Sequence, residues 1–300
     1  MMVMGLAVLA GDSMLYSEGG KGRIMRKSSA VVIALMFLLA LSAAAVSVDA
    51  HVPDTRPPPK FELKPIVVSD AGTEVEITIY DVANYHASRV NKKPQICVCL
   101  ACAFRATQLG ISKIWGEEIP ARDDLIIISR LPTPGSRDCF QYVTGTGPNI
   151  ETKTKGEFKI VLPDGTEVTD MSNKNLKKLS KDITLDNFKF TICRKSTGEC
   201  FEVVVKEGVF PEDFFELRKK VKFGVPEEAT SEEIALFKSK WADVRDKFLT
   251  LPDWELFEGV EAPFPVGGAM LFSALVVGLA LLTGVLALTG RKEGATSSPL

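Results

Sequence analysis

Histidine is almost missing from this chain, at two of 300 residues. No Ser/His/Asp set stands out around either one, so a triad hydrolase has no basis here. A glycine loop of the P-loop type and a ferredoxin-type cysteine run are also absent, which leaves nucleotide hydrolysis and iron–sulfur electron transfer without residues to carry them. Charge of one sign is lacking too: 36 basic residues face 38 acidic ones for a net charge of -2. With no long like-charged block, nothing asks for a nucleic-acid partner. No internal repeat is visible.

Two long apolar runs are present. The first, AVVIALMFLLALSAAAVSV over residues 30–48, follows Lys21, Arg23, Arg26 and Lys27 and leads to the small residues Val48 and Ala50. That is the layout of a signal peptide cleaved before His51, with an uncleaved signal anchor as the alternative. A start at Met25 instead of Met1 gives that peptide an ordinary length. The second run, residues 266–289, has no charged residue and is long enough, at about 1.5 Å per residue, to cross a hydrocarbon core of about 30 Å. Arg291 and Lys292 follow it, so the positive-inside bias places the tail 290–300 in the cytoplasm and everything before Val266 outside. A cleaved lipid-anchor signal normally ends on its apolar tail, unlike this chain. The expected protein is therefore a single-pass cell-membrane protein, with the membrane as partner through one C-terminal helix.

Between the runs, residues 51–64 are Pro-rich and aperiodic, an extended linker. Residues 65–250 carry the domain, and residues 251–265 connect it to the membrane. Val75, Ile77 and Ile79 alternate with polar positions as a half-buried strand, and Asp81 opens a helical turn through Tyr85. Residues 101–115 have near-helical apolar spacing and end by Gly116. DLIIIS at 124–129 reads as a buried strand, bounded by turn signals from Pro132 to Gly135. Residues 140–143 continue towards the loop TGTG. Alternation returns at 156–162 and 188–205, the latter holding a hairpin at KSTG. Helices are expected at 211–221 and 231–249, the second capped by Thr230 or Ser231 and striped with Ile234, Phe237, Trp241, Val244 and Phe248. The mixed order implies an α+β fold, a mixed sheet with packed helices.

All six cysteines lie in the expected exported part, where disulfides are permitted. Cys193 and Cys200 flank KSTG, so the hairpin places them opposite one another within bridging range. Cys97, Cys99 and Cys102 form CVCLAC, in which Cys99 and Cys102 sit at i and i+3 on a helix start, and Cys139 stands beside Asp138. Such a cluster suits either a metal ion or disulfides, with buried free thiols as a third state.

The elements DVANYH, AFRATQ and DCFQYVTG stand in that order, followed by a strand pair and PEDFFELRKK. This succession, over residues 75–249, resembles the FmdE family of domains associated with formylmethanofuran dehydrogenase. By that resemblance His86 and Cys97 or Cys99 belong to a metal site, with zinc the expected ion. Ser88 stands where the family has a second histidine, and the family's C-terminal zinc-ribbon cysteines are absent. Arg105, Asp138, Gln141, Thr144 and Gly145 also match family positions. They either line a small-ligand pocket or, in the case of Arg105 and Asp138, pair to staple helix to strand.

Three functions remain open. The first is a membrane-anchored, extracytoplasmic, non-catalytic domain binding zinc or a small ligand at His86, Cys97, Cys99, Cys102 and Cys139. The second is a redox or metal-dependent enzyme using the cysteine cluster, and the third a disulfide-braced cell-surface module, structural or binding an unidentified protein partner, in which all six cysteines are bridged.

Overall fold

The computed structural model describes residues 56–263. The apolar runs at 30–48 and 266–289, and the cleavage, anchoring and topology expectations tied to them, lie outside the described residues. Among the described residues no helix is long and apolar enough to cross a membrane.

The chain enters through an antiparallel hairpin of β1 (Ile66–Asp70) and β2 (Thr73–Ile77). Ala71 and Gly72 close it with φ of 51° and 82°, the left-handed pair that matches the twist of two strands joined by a two-residue loop. Ile79 does not extend β2. It is the first residue of α1 (Ile79–Val90), because Thr78 and Asp81 form a reciprocal capping box in front of it. The turn expected at Asp81 is thus the start of a full helix.

Helix α2 (Val98–Trp115) begins at Val98, ahead of the expected Ala101, and ends at Gly116 as anticipated. It is buried on nearly every side, and its small residues Ala101, Ala103 and Ala106 let neighbours close in. At Gly110 a Cβ would lie 2.6 Å from the Ile192 side chain. The helix therefore crosses the sheet at that point on bare backbone.

That sheet has the order β4-β3-β5-β6, with β3 (Leu125–Ser129), β4 (Glu157–Ile160), β5 (Lys189–Arg194) and β6 (Cys200–Val204). β3 runs parallel to β4 and antiparallel to β5, and β5 is antiparallel to β6. The architecture is the expected α+β fold with a mixed sheet.

The segment expected as a turn at Pro132–Gly135 is instead the start of α3 (Pro134–Thr144). Thr133 caps it and Pro134 occupies the first turn, where proline's missing N–H costs nothing. A short α4 (Asn173–Leu179) has no counterpart among the expected elements. α5 (Phe214–Phe223) and α6 (Ser231–Thr250) follow, with Thr230 as the cap of α6.

The expected stripe of α6 is buried at Phe237, Trp241, Val244 and Phe248, each side chain worth about 2 to 3 kcal/mol of burial. The fold also runs past residue 250. After α7 (Asp253–Leu256), Leu256 and Phe257 are fully buried and Phe257 bridges to Val205, so this stretch belongs to the domain and is not a linker.

Candidate functional site

The N-termini of α2 and α3 meet. Cys97 is the cap of α2, its Sγ accepting the Leu100 N–H at 3.4 Å. A Cβ on Gly135, in the first turn of α3, would lie 2.6 Å from that sulfur. Only glycine allows the two helix starts to approach so closely.

Against this junction α4 and α5 enclose a cavity of about 200 Å³. Its wall is mainly apolar, with Phe188 and Phe214, and Cys99, Arg218 and Lys222 also face it. Phe214, Leu217, Arg218 and Val221 are the buried face of α5, which puts a guanidinium among aromatic rings. Arg218 is only 6% exposed. It donates to the Ser180 carbonyl at 2.6 Å and lies over the Phe223 ring, and among the described residues it has no carboxylate partner. Burial pulls its pKa down to about 10. Burial, followed by the neighbouring Arg218 charge, pulls Lys222 down to about 8.

The four cysteines of the cluster are free thiols, so the reading in which all six cysteines are bridged does not hold. Cys97, Cys102 and Cys139 are buried, and only Cys99 is partly accessible. Burial, reinforced by Cys99, pushes the Cys97 thiol up to about 12 and raises Cys102 as well; burial and Cys97 raise Cys139. That is the opposite direction from the thiolate a metal ligand must become.

His86 is committed elsewhere. Its Nδ1 lies 2.6 Å from Asp138 Oδ2. Two arginines already donate to that carboxylate, so the ring must present an N–H to it. Among the described residues no group of three or more His, Cys, Asp or Glu is placed to hold a metal ion. The set His86, Cys97, Cys99, Cys102 and Cys139 does not fit zinc in this arrangement.

Asp138 is the centre of a buried polar cluster. Its Oδ1 accepts from Arg89 at 2.8 Å and from Arg137 Nε and Nη2 at 2.8 and 2.7 Å. Gln141 joins through Arg89, and Arg137 also donates to the Met171 carbonyl and Asn173. These residues tie α1, α3 and the start of α4 together.

Arg105 does not pair with Asp138. It donates to the carbonyls of Phe248 and Leu251 and to Asp253, closing the C-terminal end of α6. Thr144 donates to the Phe140 carbonyl, and Gly145 ends α3 with φ of 71°. None of Arg105, Asp138, Gln141, Thr144 and Gly145 lines the cavity. The bridge Cys193–Cys200 is formed, across directly paired residues of β5 and β6 with a Cα separation of 4.1 Å.

Sequence reasoning passed over Arg89, Arg137, Arg218 and Lys222. A signal existed for Arg218: it lies four residues after Phe214 and one after Leu217, on the apolar face of its own helix.

The fold and the site together define an α+β domain with a central buried helix and a mainly apolar cavity where two helix N-termini meet. The family model described as FmdE, molybdenum formylmethanofuran dehydrogenase operon, matches residues 95–258, and the chain belongs to this family. His86 lies ahead of the matched segment. No curated protein and no solved structure matches the chain.

Proposed function

We propose that this FmdE-family domain is a non-catalytic binding module that holds a small organic ligand in the cavity at the start of α2 and α3. The single observation that carries this reading is the cavity of about 200 Å³, lined mainly by apolar groups with a few convergent polar ones. That composition is the usual one for small-ligand sites. The signal-peptide and anchor patterns and the Cys193–Cys200 bridge support a domain held at the cell membrane and facing an oxidising space.

The family's association with metal supports a second reading, in which Cys97, Cys99, Cys102 and Cys139 rearrange around zinc. The thiolates would supply soft donors to the ion, and burial works against their ionisation. A redox enzyme would have to work through Cys99, the one partly accessible thiol.

Metal analysis and native mass spectrometry of the full chain, purified without chelator or reductant, separate these readings. The expected result is no stoichiometric metal and four free thiols on denaturation. About one zinc per chain, lost in Cys99→Ser, would replace the small-ligand reading with the metal one.

A further inference from the structure

The cavity is mainly apolar along its walls and carries cationic side chains, two of them on α5. Arg218 and Lys222 are successive-turn neighbours on α5, and both line the cavity together with Phe188 and Phe214. The guanidinium of Arg218 is buried with a carbonyl and a ring as partners and, among the described residues, no carboxylate. A buried cation in that condition is costly unless an anion arrives to complete it.

Two further sources of positive potential border the same space. The first turns of α2 and α3, the positive ends of two helix dipoles, line it through Val98, Cys99, Pro134 and Gly135, although Cys97 and Thr133 already cap the Leu100 and Ser136 N–H groups. Lys177, on α4, stands at the cavity wall as well.

Resting on the small-ligand reading above, we propose that the cavity binds a small amphipathic carboxylate. The acid group meets Arg218 and Lys222, and the apolar body lies between Phe188 and Phe214. A guanidinium fork matches a carboxylate in two parallel hydrogen bonds. Inorganic phosphate would bring charge and no apolar surface to a wall built mainly of carbon.

Size narrows the class. A cavity of about 150 Å³ accommodates benzene, with its six non-hydrogen atoms, so 200 Å³ scales to a ligand of about eight. A short branched acyl acid is of that size and an arylacetate exceeds it by about two atoms at the open mouth of the cavity, whereas a long-chain fatty acid would leave most of its chain outside.

Cys99 provides the reporter, because its thiol faces the cavity and the other three free thiols are buried. The full chain is treated with either iodoacetate or iodoacetamide, and labelling at Cys99 is followed by peptide mass spectrometry. In an electropositive cleft the anionic reagent is favoured, by about tenfold. Arg218→Gln should bring the ratio close to one, and Arg218→Lys should restore part of it. Millimolar phenylacetate should slow labelling by iodoacetamide, while 2-phenylethanol, phosphate and oleate should not.

Protection by 2-phenylethanol equal to that by phenylacetate, or equal rates for the two reagents, would overturn the carboxylate assignment and leave the cavity reading standing. Equal protection by phosphate would also overturn it, showing an anion site indifferent to the apolar body. Protection by oleate would move the source to the membrane and overturn the short-acid assignment. No labelling of Cys99 by either reagent in the folded chain would remove the cavity reading itself. The competition arm uses the wild-type chain, so a misfolded Arg218 variant does not decide the outcome.

Discussion

Replacing Asp138 by alanine removes the carboxylate that meets His86, Arg89 and Arg137 in the buried cluster, and its side chain is wholly inaccessible. The magnitude follows from what remains. Arg137, 1% exposed in its side chain, keeps the Met171 carbonyl and Asn173 and loses its counter-charge. Stranding a buried charge in this way costs about 3 to 5 kcal/mol. For a domain whose whole stability is of order 5 to 15 kcal/mol that is a large fraction, and at about 2 to 4 °C per kcal/mol it lowers Tm by about 10 °C. Trp115, Trp241 and Trp254 all lie in the domain, so urea unfolding of the full chain read by tryptophan fluorescence measures the change directly. Asp138→Asn keeps an acceptor oxygen and should fall about midway. The double variant Arg137→Met with Asp138→Leu should recover more than about 1 kcal/mol of the single-variant loss, since it removes the stranded charge along with its partner. A midpoint shift equivalent to less than about 1 kcal/mol for Asp138→Ala would refute the argument that Asp138 is the structural counter-charge of this cluster.

Gly110→Ala should destabilise by about 1 to 3 kcal/mol, because its Cβ would sit 2.6 Å from Ile192; Ile192→Ala in the same chain should relieve part of that loss in the same urea experiment. Asp70 governs part of the acid limb. Burial alone would raise its carboxyl, but the Lys153 and Thr154 N–H groups and the Thr152 and Thr154 hydroxyls hold it well below the usual range. Its contribution is therefore complete above the unfolded-state pKa of about 3.9 and is lost as the pH falls towards the folded value. Asp70→Asn should flatten the stability profile below about pH 4, and an unchanged profile would refute this role. Cys193→Ser with Cys200→Ser should cost about 2.5 kcal/mol from the closed loop, checked by the same unfolding curve, with the count of free thiols in denaturant remaining four.

What can be read in the sequence is mostly local. The strand at β3, the α6 stripe and the Cys193–Cys200 pair rest on periodicity and a four-residue loop, so neighbours along the chain already contain the answer. The start of α3 escapes such a reading although Thr133 and Pro134 carry its signal, because Pro and Gly together weigh towards a turn when taken without their cap. Partnerships between distant segments are not legible. Arg105 has its carboxylate at Asp253 and Asp138 has its bases at Arg89 and Arg137, and no spacing rule connects such positions. The cavity is hidden for the same reason, since its walls come from segments as far apart as Val90, Cys99, Pro134, Phe188, Arg218 and Trp241.

The last described residues are stitched to the outer strand of the sheet: the Glu258 N–H donates to the Val204 carbonyl and the Lys206 N–H to that of Leu256. Tension applied through whatever follows residue 263 reaches this edge first. A pull directed away from the sheet loads those bonds in succession, as an adhesive strip is peeled, so Phe257 parts from the outer strand first and α7 then passes the load to α2 through the Arg105–Asp253 pair. The stretch from Leu256 to Glu258 is thus the margin of the domain that gives way first under such a load.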